Sequence, residues 1–336
     1  MENGSMESNS TIFDVNTLFA SAFGLTVVVG LPLNSISLWV FCIRMKLQTA
    51  PVIYLTNLAI SDLLFILSLP FRVHYFITTR WLFGNLICTL SETIFSVNFY
   101  TSTLFITLIS IDRYLAIVHP LQSNFLRSPK VASIVSAVVW FIIILMSFPI
   151  AFQYQQKDHM NSTVCYEGYS AETWKSAFNL ILLITMLGFA VPFVITVTCF
   201  FAVARVMFRI RKENQTFKRY KIVPLFLLNI GVFTVCFLPF NVTLVVYGLY
   251  KVNDISVNGI YLVHVITMCL ASISSCVDPI VYHLTSMAFK IDAMKKVKVT
   301  VNPMDLIKTG PHANKESLVL ETQHRTRPPG PATHAS

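Results

Sequence analysis

Six ionisable side chains lie inside or at the ends of apolar stretches of this 336-residue chain: Asp62, Arg72, Glu92, Asp112, Arg113 and Asp278. Placing such a group in a bilayer costs about 2.5–3.5 kcal/mol on insertion scales, so each one needs a partner or a function. Asp112 and Arg113 are adjacent at the end of a span, where the two charges can pair. Arg72 offers a planar fork of donors to a phosphate. Asp62 and Asp278 are acids within apolar spans, where a charged carboxylate needs a partner.

The stretches that carry these residues are long enough to cross a membrane. Hydrophobic residues make up 54% of the chain and charged residues 12%, which is about half the charged fraction of a soluble domain. Apolar windows of about 20 residues match the hydrocarbon core of a bilayer. Seven windows occur, at about 18–43, 52–77, 86–111, 131–152, 177–204, 222–249 and 259–282. The sequence therefore predicts an all-α membrane protein with a seven-transmembrane helix bundle over 18–282.

Lys and Arg are distributed unevenly between the two sets of connecting segments. Residues 1–43 contain neither, whereas 20 of the 25 basic residues follow spans one, three, five and seven. Because basic residues accumulate on the cytoplasmic side, this pattern predicts a multi-pass protein of the plasma membrane with an extracellular N-terminus. The net charge of +9 is then a signal of topology and does not argue for nucleic-acid binding.

The segments outside the bundle have their own patterns. Residues 1–17 are polar and contain glycosylation acceptors at Asn3 and Asn9, and a third acceptor, Asn161, lies in the outer segment after span four. In 283–298, apolar residues recur at helical spacing between lysines, which predicts a short amphipathic eighth helix on the inner leaflet. Residues 299–336 are predicted to form a disordered cytoplasmic tail.

Two of the seven cysteines differ from the rest in their predicted location. Five lie within apolar spans, where cysteine usually packs as a small apolar side chain. Cys88 and Cys165 both fall on the predicted outer side, which is an oxidising compartment. We therefore predict a disulfide between them, with two free thiols as the alternative.

Polar and proline motifs occur in order along the chain, about one in each span: Asn34; Asn57-Leu58-Ala59-Ile60-Ser61-Asp62; Asp112-Arg113-Tyr114; Trp140; Pro192; Cys236-Phe237-Leu238-Pro239; and Asp278-Pro279-Ile280-Val281-Tyr282. From about residue 18 to 297, this order resembles the rhodopsin-like family of G-protein-coupled receptors. The resemblance implies a cell-surface receptor, not an enzyme, that promotes nucleotide exchange on a heterotrimeric G protein. It also implies contacts of the cytoplasmic tail with receptor kinases and arrestin.

The resemblance assigns roles to several residues. Arg113 would pair with Asp112 at rest and then swing to meet the G protein, and the activation switch would comprise Asp112, Arg113, Tyr114, Phe237, Pro239, Asp278, Pro279 and Tyr282. The family's sodium pocket would be lined by Asp62, Asn98, Ser102, Ser274 and Asp278. Two residues depart from the family pattern, because Phe237 stands where tryptophan is usual and Asp278 where asparagine is commoner.

Four segments look like those of lysophosphatidic acid receptors, subtype five in particular: GLPLNSISLWVF (30–41), SDLLFILSLPFRVHYF (61–76), YSAETWK (169–175) and CFLPFNVTLVVYGLYK (236–251). This resemblance implies a lysophospholipid agonist, and the surrounding membrane lipids are a separate predicted partner. Arg72 and Lys251 would clamp its phosphate, and Phe71, Tyr75, Phe95, Phe99 and Phe240 would line a pocket for its acyl chain. His264 is a further predicted ligand-binding residue. Glu92 would repel that phosphate unless it pairs with a base.

Other functions remain as alternatives. Protease-activated receptors need an outer cleavage site after Lys or Arg, and none precedes Arg44. Nucleotide receptors carry a histidine and a basic residue just beyond the span-six proline, where this chain has Asn241 and Leu244. A receptor for another small anionic ligand remains an alternative. A membrane transporter or channel is an alternative from a different class, although no internal repeat favours a transporter and no filter motif favours a channel. The G-protein class, the acyl-chain preference and the oligomeric state are not determined by the sequence.

Overall fold

All regular secondary structure in the described part of the chain is helical. A computed structural model describes residues 2–120, 122–157, 165, 171–212, 223–255 and 258–300, with side-chain surroundings for 15–120, 122–147, 165, 172, 174–209, 227–255 and 259–280. Within these residues, seven helices are long and apolar enough to cross a membrane. The predicted all-α seven-transmembrane fold is confirmed.

The seven spans follow one another in chain order, and two of them are interrupted. Their bounds are α1 Glu2–Trp39, α2 Ala50–Thr78, α3 Gly84–Val118, α4 Pro129–Lys157, α5 Ala171–Thr185 with Val191–Lys212, α6 Val223–Val232 with Leu238–Val252, and α7 Asn258–Thr300. Contacts divide the chain into two units, Met1–Ser286 and Met287–Ser336. The first unit contains all seven candidate spans, and in the second only the backbone of α7 up to Thr300 is described.

Several predicted features fall where side chains or backbone are not described. The predicted eighth helix, 283–298, falls within the single helix α7 in a region whose side chains are not described, so its separate amphipathic character stays a prediction. The side chains of Asn3, Asn9 and Tyr282 are likewise outside the described residues, as are Asn161 and the tail from 301. Glycosylation and tail disorder therefore also stay predictions.

The interruptions in α5 and α6 each precede a proline. Proline lacks a backbone N–H, and its ring clashes with the carbonyl four residues earlier. For Pro192 and Pro239 that carbonyl belongs to Gly188 and Val235, and both residues lie in π-helical turns, Met186–Ala190 and Phe233–Phe237. The wider turn accommodates the missing hydrogen bond without ending the span.

The interior of the bundle is built mainly on α2 and α3. Of the most apolar stretch in each helix, 72% is buried in α2 and 61% in α3, against 22% in α4. Side-chain amides and indoles tie the helices together, since Trp140 Nε1 donates to Asn57 Oδ1 at 2.9 Å and Asn34 Nδ2 donates to the Ser275 carbonyl at 2.8 Å. Such bonds hold helices together in lipid, where apolar contact alone gives no hydrophobic driving force.

A disulfide joins the outer end of α3 to the segment between α4 and α5. Cys88 is bonded to Cys165, with 5.9 Å between their Cα atoms. Both cysteines are buried in a cluster with Trp81, against which Phe71 and Tyr75 pack. The predicted disulfide is confirmed, and it anchors the loop that follows α4 to the core of the bundle.

We expect Cys88→Ser and Cys165→Ser each to reduce delivery of the protein to the cell surface. Loss of a native disulfide typically removes about 2–5 kcal/mol of stability. Because both mutations break the same bond, the double mutant should be no worse than either single mutant. Surface labelling measures the effect, with Cys42→Ser as the control, since Cys42 is exposed and free. Additive losses would show that each cysteine acts separately.

Candidate functional site

An ion-pair cluster lies at the C-terminal end of α3, which the sequence predicts to face the cytoplasm. Arg113 Nε donates to Asp112 Oδ2 at 3.0 Å, and Nη2 of the same guanidinium donates to the same oxygen. The other carboxylate oxygen of Asp112 accepts from Arg127 Nε at 3.0 Å. Asp112 and Arg113 are almost fully buried, whereas the Arg127 side chain is 24% exposed. One carboxylate is therefore shared by two arginines.

Tyr114 has a different partner from its two neighbours in the motif. Its hydroxyl lies 3.2 Å from His119 Nε2, in the turn that follows α3. Ser123 in the same turn donates to the Leu115 carbonyl at 3.2 Å. One turn before Arg113 on α3, Ser110 Oγ accepts from Asn229 Nδ2 of α6 at 3.2 Å. The arginine therefore lies close to contacts that link α3 to the inner loop and to α6.

Two carboxylates lie in the middle of the bundle without exposure to solvent. Asp62 on α2 accepts from Asn98 Nδ2 on α3 at 3.0 Å. Asp278 on α7 is close enough to Asp62 for an electrostatic interaction, yet neither of its oxygens has a hydrogen-bond partner among the described residues. Ser102 Oγ is also buried without a hydrogen-bond partner among the described residues, whereas the Ser274 hydroxyl donates to the Ala271 carbonyl at 2.7 Å. Buried acceptors without donors are what a bound cation or a proton would satisfy.

Phe237 lies at the base of a group of packed rings. It is fully buried in the π-helical turn that precedes Pro239. Its ring centroid is 4.8 Å from that of Phe99 and 5.8 Å from that of Phe233. Phe99 in turn packs on Phe240 at 4.7 Å. These contacts couple the middle of α3 to α6 at the helix interruption.

Four rings, which we call the aromatic row, follow one another above this base: Phe95, Phe240, His264 and Tyr247. Successive centroids are 6.0, 5.5 and 5.3 Å apart. His264 is stacked between Phe240 and Tyr247, and its Nδ1 lies 3.0 Å from Thr243 Oγ1. The structure thus brings two of the predicted acyl-chain residues, Phe95 and Phe240, and the predicted ligand-binding residue His264 into one row that crosses from α3 through α6 to α7.

The two predicted phosphate-binding cations lie at opposite ends of the aromatic row. The guanidinium carbon of Arg72 is 5.2 Å from the Phe95 centroid, and Lys251 Nζ is 5.5 Å from the Tyr247 centroid. Arg72 is almost completely buried, whereas Lys251 is half-buried. Tyr75 lies elsewhere, since its ring packs on Trp81 at 6.2 Å beside the disulfide. Tyr75 therefore belongs to the cluster around Trp81 and the disulfide, and the acyl-chain contact predicted for it stays a prediction.

Arg72 is held by the neighbouring helix. Its Nε donates to Ser91 Oγ at 3.2 Å, its Nη2 donates to the Ser91 carbonyl at 2.8 Å, and the same Nη2 lies 3.3 Å from Glu92 Oε1. The ring of Phe23 from α1 is 6.0 Å away. Glu92 therefore pairs with Arg72. Such pairing with a base is required if Glu92 is not to repel a phosphate bound nearby.

Sequence reasoning missed three contributors to these sites. Arg127 and His119 belong to the short inner segment after α3, and Ser91 provides both a hydroxyl and a carbonyl to Arg72. The sequence signals Arg127 only as a basic residue in a short loop that is predicted to be cytoplasmic, and the positive-inside rule places basic residues in such loops in any case. Ser91 carries no signal, because serine within a membrane helix commonly bonds to its own helix.

Comparisons with known proteins agree with this architecture. The family described as 7 transmembrane receptor (rhodopsin family) matches residues 33–282, which is more than half of the chain. The chain belongs to this family. The receptor fold therefore extends over the bundle described above, and the protein is a multi-pass membrane receptor of a non-enzyme family.

Individual relatives of this receptor include lysophosphatidic acid receptors. It is 36% identical over 279 residues to lysophosphatidic acid receptor 6 of Gallus gallus, covering 80% of this chain and 90% of that protein. It is 35% identical over 328 residues to lysophosphatidic acid receptor 5 of Mus musculus, covering 93% and 86%. Proteinase-activated receptor 3 of Homo sapiens is 34% identical over 276 residues, covering 80% and 71%. The resemblance to subtype five thus extends to other lysophosphatidic acid receptors.

Proposed function

We propose that this receptor is activated at the cell surface by lysophosphatidic acid or a closely similar lysophospholipid, and that it promotes nucleotide exchange on a heterotrimeric G protein. The observation that carries the proposal is a buried arginine, Arg72, at the end of an aromatic row inside the bundle. A cation next to an apolar surface fits a ligand with one anionic headgroup and one hydrocarbon chain.

The ligand's phosphate would bind at Arg72. A guanidinium is the preferred partner of phosphate because its planar donors match two oxygens at once. Lys251 lies at the opposite end of the row, so the second contact to the same phosphate that the sequence predicts for it stays a prediction. The acyl chain would lie along Phe95, Phe240 and His264, with Phe99 beneath them. The relatives named as lysophosphatidic acid receptors support this choice of ligand.

Activation would proceed through the ion-pair cluster at the inner end of α3. Arg113 would leave Asp112 and meet the G protein, while Arg127 continues to compensate the buried carboxylate. Tyr114, Phe237, Pro239, Asp278, Pro279 and Tyr282 would complete the switch. The interruption of α6 at Phe233–Phe237 supports this role, since a π-helical turn is a common place for a helix to change its path.

A sodium ion is proposed as the allosteric occupant of the pocket formed by Asp62, Asn98, Ser102, Ser274 and Asp278. The residues fit a hard cation, because carboxylate, amide and hydroxyl oxygens are its usual ligands. The acceptors of Asp278 that lack donors support the fit. When bound, the ion would supply positive charge between two acids that otherwise repel each other.

The remaining assignments follow from topology and family. We place the N-terminus outside the cell, with glycans at Asn3, Asn9 and Asn161, because basic residues concentrate on the opposite side. Segment 283–298 would lie against inner-leaflet lipids, and the tail from 299 would meet receptor kinases and arrestin.

A ligand screen on cells that express this chain tests the proposed function. The panel contains lysophosphatidic acid, its dephosphorylated monoacylglycerol, a nucleotide and a tethered-ligand-activating protease, with second messengers recorded for each G-protein class. We expect a response to lysophosphatidic acid and none to the monoacylglycerol. Purified receptor in lipid nanodiscs should then accelerate nucleotide exchange on the G protein. If cells respond to the nucleotide and not to lysophosphatidic acid, the proposed ligand is wrong and the receptor binds a nucleotide.

Protease activation is the second candidate, on the strength of the relative named proteinase-activated receptor 3. Residues 1–43 contain no Lys or Arg at which a trypsin-like protease cuts. We therefore expect the protease arm of the screen to be silent. A protease response that persists without added lipid would favour this candidate.

A further inference from the structure

We propose that a buried hydrogen bond between Asn229 and Ser110 holds the first segment of α6, Val223–Val232, against α3 in the resting receptor, and that this bond breaks when the receptor activates. The inference does not depend on which ligand activates the receptor, but it rests on the proposed activation of a G protein. Asn229 Nδ2 donates to Ser110 Oγ at 3.2 Å, and the two residues are 1% and 0% exposed. Hydrogen bonds between side chains fix one helix against another in a membrane bundle.

The direction of this hydrogen bond is set by the second partner of Ser110. The Ser110 hydroxyl donates to the Ile106 carbonyl at 3.0 Å, so its oxygen accepts from the Asn229 amide. Oδ1 of Asn229 is buried without a hydrogen-bond partner among the described residues. A polar group that makes one bond and leaves a buried acceptor unsatisfied contributes little net stability. The contact is therefore a weak restraint, which a conformational change breaks at low cost.

The hydrogen bond and the ring contacts of α6 lie on different sides of its interruption. Phe99 of α3 packs on Phe237 and Phe240, with centroids 4.8 and 4.7 Å away. Asn229 instead precedes the π-helical turn Phe233–Phe237. A helix can bend at such a turn. The first segment of α6 can therefore pivot there once the hydrogen bond is lost, while the rings keep the second segment in place.

The face of α3 that carries Ser110 also carries the arginine of the proposed switch. Arg113 follows Ser110 by three residues, and residues at this spacing are neighbours on the surface of a helix. Asn229 therefore holds α6 against the part of α3 from which Arg113 projects. Movement of the first segment of α6 away from Ser110 opens space beside the arginine. Asn229 thus acts as a positioning residue for the switch.

The strength of the bond determines how far its loss shifts the receptor toward the active state. We expect the ratio of active to resting receptor to rise by about 3- to 15-fold, which corresponds to the roughly 0.6–1.7 kcal/mol of a hydrogen bond between membrane helices. Without agonist the active state is the minor one, so agonist-free nucleotide exchange should rise by the same factor. The apparent affinity for agonist should rise with it, because a larger fraction of the receptor is competent to bind.

The test measures agonist-free nucleotide exchange by the purified full-length receptor in lipid nanodiscs, with the G-protein class that responds in the ligand screen. The variants are Ser110→Ala, Asn229→Leu and the double mutant. Ser136→Ala is the control, since Ser136 is a buried serine of α4 whose hydroxyl donates to the Ala132 carbonyl of its own helix at 2.8 Å. We expect each single mutant to raise exchange by about 3- to 15-fold, because both remove the same bond. The double mutant should be no higher than the larger single mutant, and the control should match wild type.

A second measurement separates this role from a general loss of stability. Binding of lysophosphatidic acid should tighten in Ser110→Ala, whereas a destabilised receptor would lose both binding and surface expression. If Asn229→Leu does not reach the surface, Ser110→Ala is compared with wild type alone.

The outcomes distinguish this inference from the proposed function. Wild-type agonist-free exchange by Ser110→Ala, or a double-mutant increase equal to the product of the two single increases, would overturn the inference while a wild-type response to lysophosphatidic acid upholds the proposed function. A response to the nucleotide instead of the lipid would overturn the proposed ligand, and agonist-free exchange would still decide the role of the bond. A wild type that promotes exchange on no G-protein class would overturn both.

Discussion

Replacing Arg113 with alanine is expected to reduce agonist-stimulated nucleotide exchange to the agonist-free level while agonist affinity stays within the wild-type range. The arginine lies at the inner end of α3, near the end of the helix opposite the aromatic row, and contacts Asp112. Removing one member of a buried ion pair usually destabilises a protein by about 3–5 kcal/mol, because the other charge loses its partner. Here Asp112 keeps Arg127, so we expect the variant to fold and reach the surface.

The measurement for Arg113→Ala combines agonist binding with nucleotide exchange on purified receptor and G protein. Lys130→Ala is the matched control, because it removes an exposed basic residue at the inner start of α4. We expect the control to signal normally. Wild-type exchange by Arg113→Ala at normal surface expression would exclude the proposed switch.

Replacing Arg72 with alanine is expected to lower the potency of lysophosphatidic acid by about 10- to 150-fold. A hydrogen bond to a charged group contributes about 1.5–3 kcal/mol, and about 1.4 kcal/mol corresponds to a tenfold change in affinity. Arg72→Lys keeps the charge but loses the planar fork that also contacts Ser91, so it should recover only part of the loss. Dose–response curves are recorded on cells matched for surface receptor.

The ion pair of Arg72 with Glu92 provides a competing explanation that the same variants resolve. If the pair only holds α2 against α3, Arg72→Ala should lower surface expression, and Glu92→Gln in the same chain should partly restore it. If Arg72 binds the phosphate, the alanine variant loses potency at matched expression and Glu92→Gln gives no recovery. A wild-type response of Arg72→Ala to the phosphorylated lipid would rule out phosphate binding at this residue.

Much of the fold follows from properties that are local in sequence. A span is a run of about 20 apolar residues, so its existence depends on composition within one window. The pairing of Cys88 with Cys165 followed from their shared compartment, since the other five cysteines lie in apolar spans. Asp112 and Arg113 are neighbours in the chain, which places acid and base within reach before any helix packs.

The contacts between helices could not be predicted from any single stretch of about 20 residues. Arg72 and Glu92 lie on different helices, and whether they meet depends on the rotation and height of α2 relative to α3. The same holds for Arg127 and Asp112, which a turn brings together across the inner loop. For this reason the sequence left Arg72 with three possible partners, namely a lipid headgroup, the ligand's phosphate and Glu92, and the packing of the helices places it beside Glu92.

The amino-acid sequence by itself determined the number of spans, the receptor family and the identity of the buried charges. The reason is that the length of each apolar stretch, the order of the motifs and the few charges within the apolar stretches are all properties of the linear sequence. Only the tertiary structure decided that Asp112 is shared by two arginines, that Asp278 has no donor among the described residues, and that His264 is stacked between Phe240 and Tyr247. These features arise from how seven helices are rotated about their axes, and side chains distant in sequence reach one another only after that rotation is set.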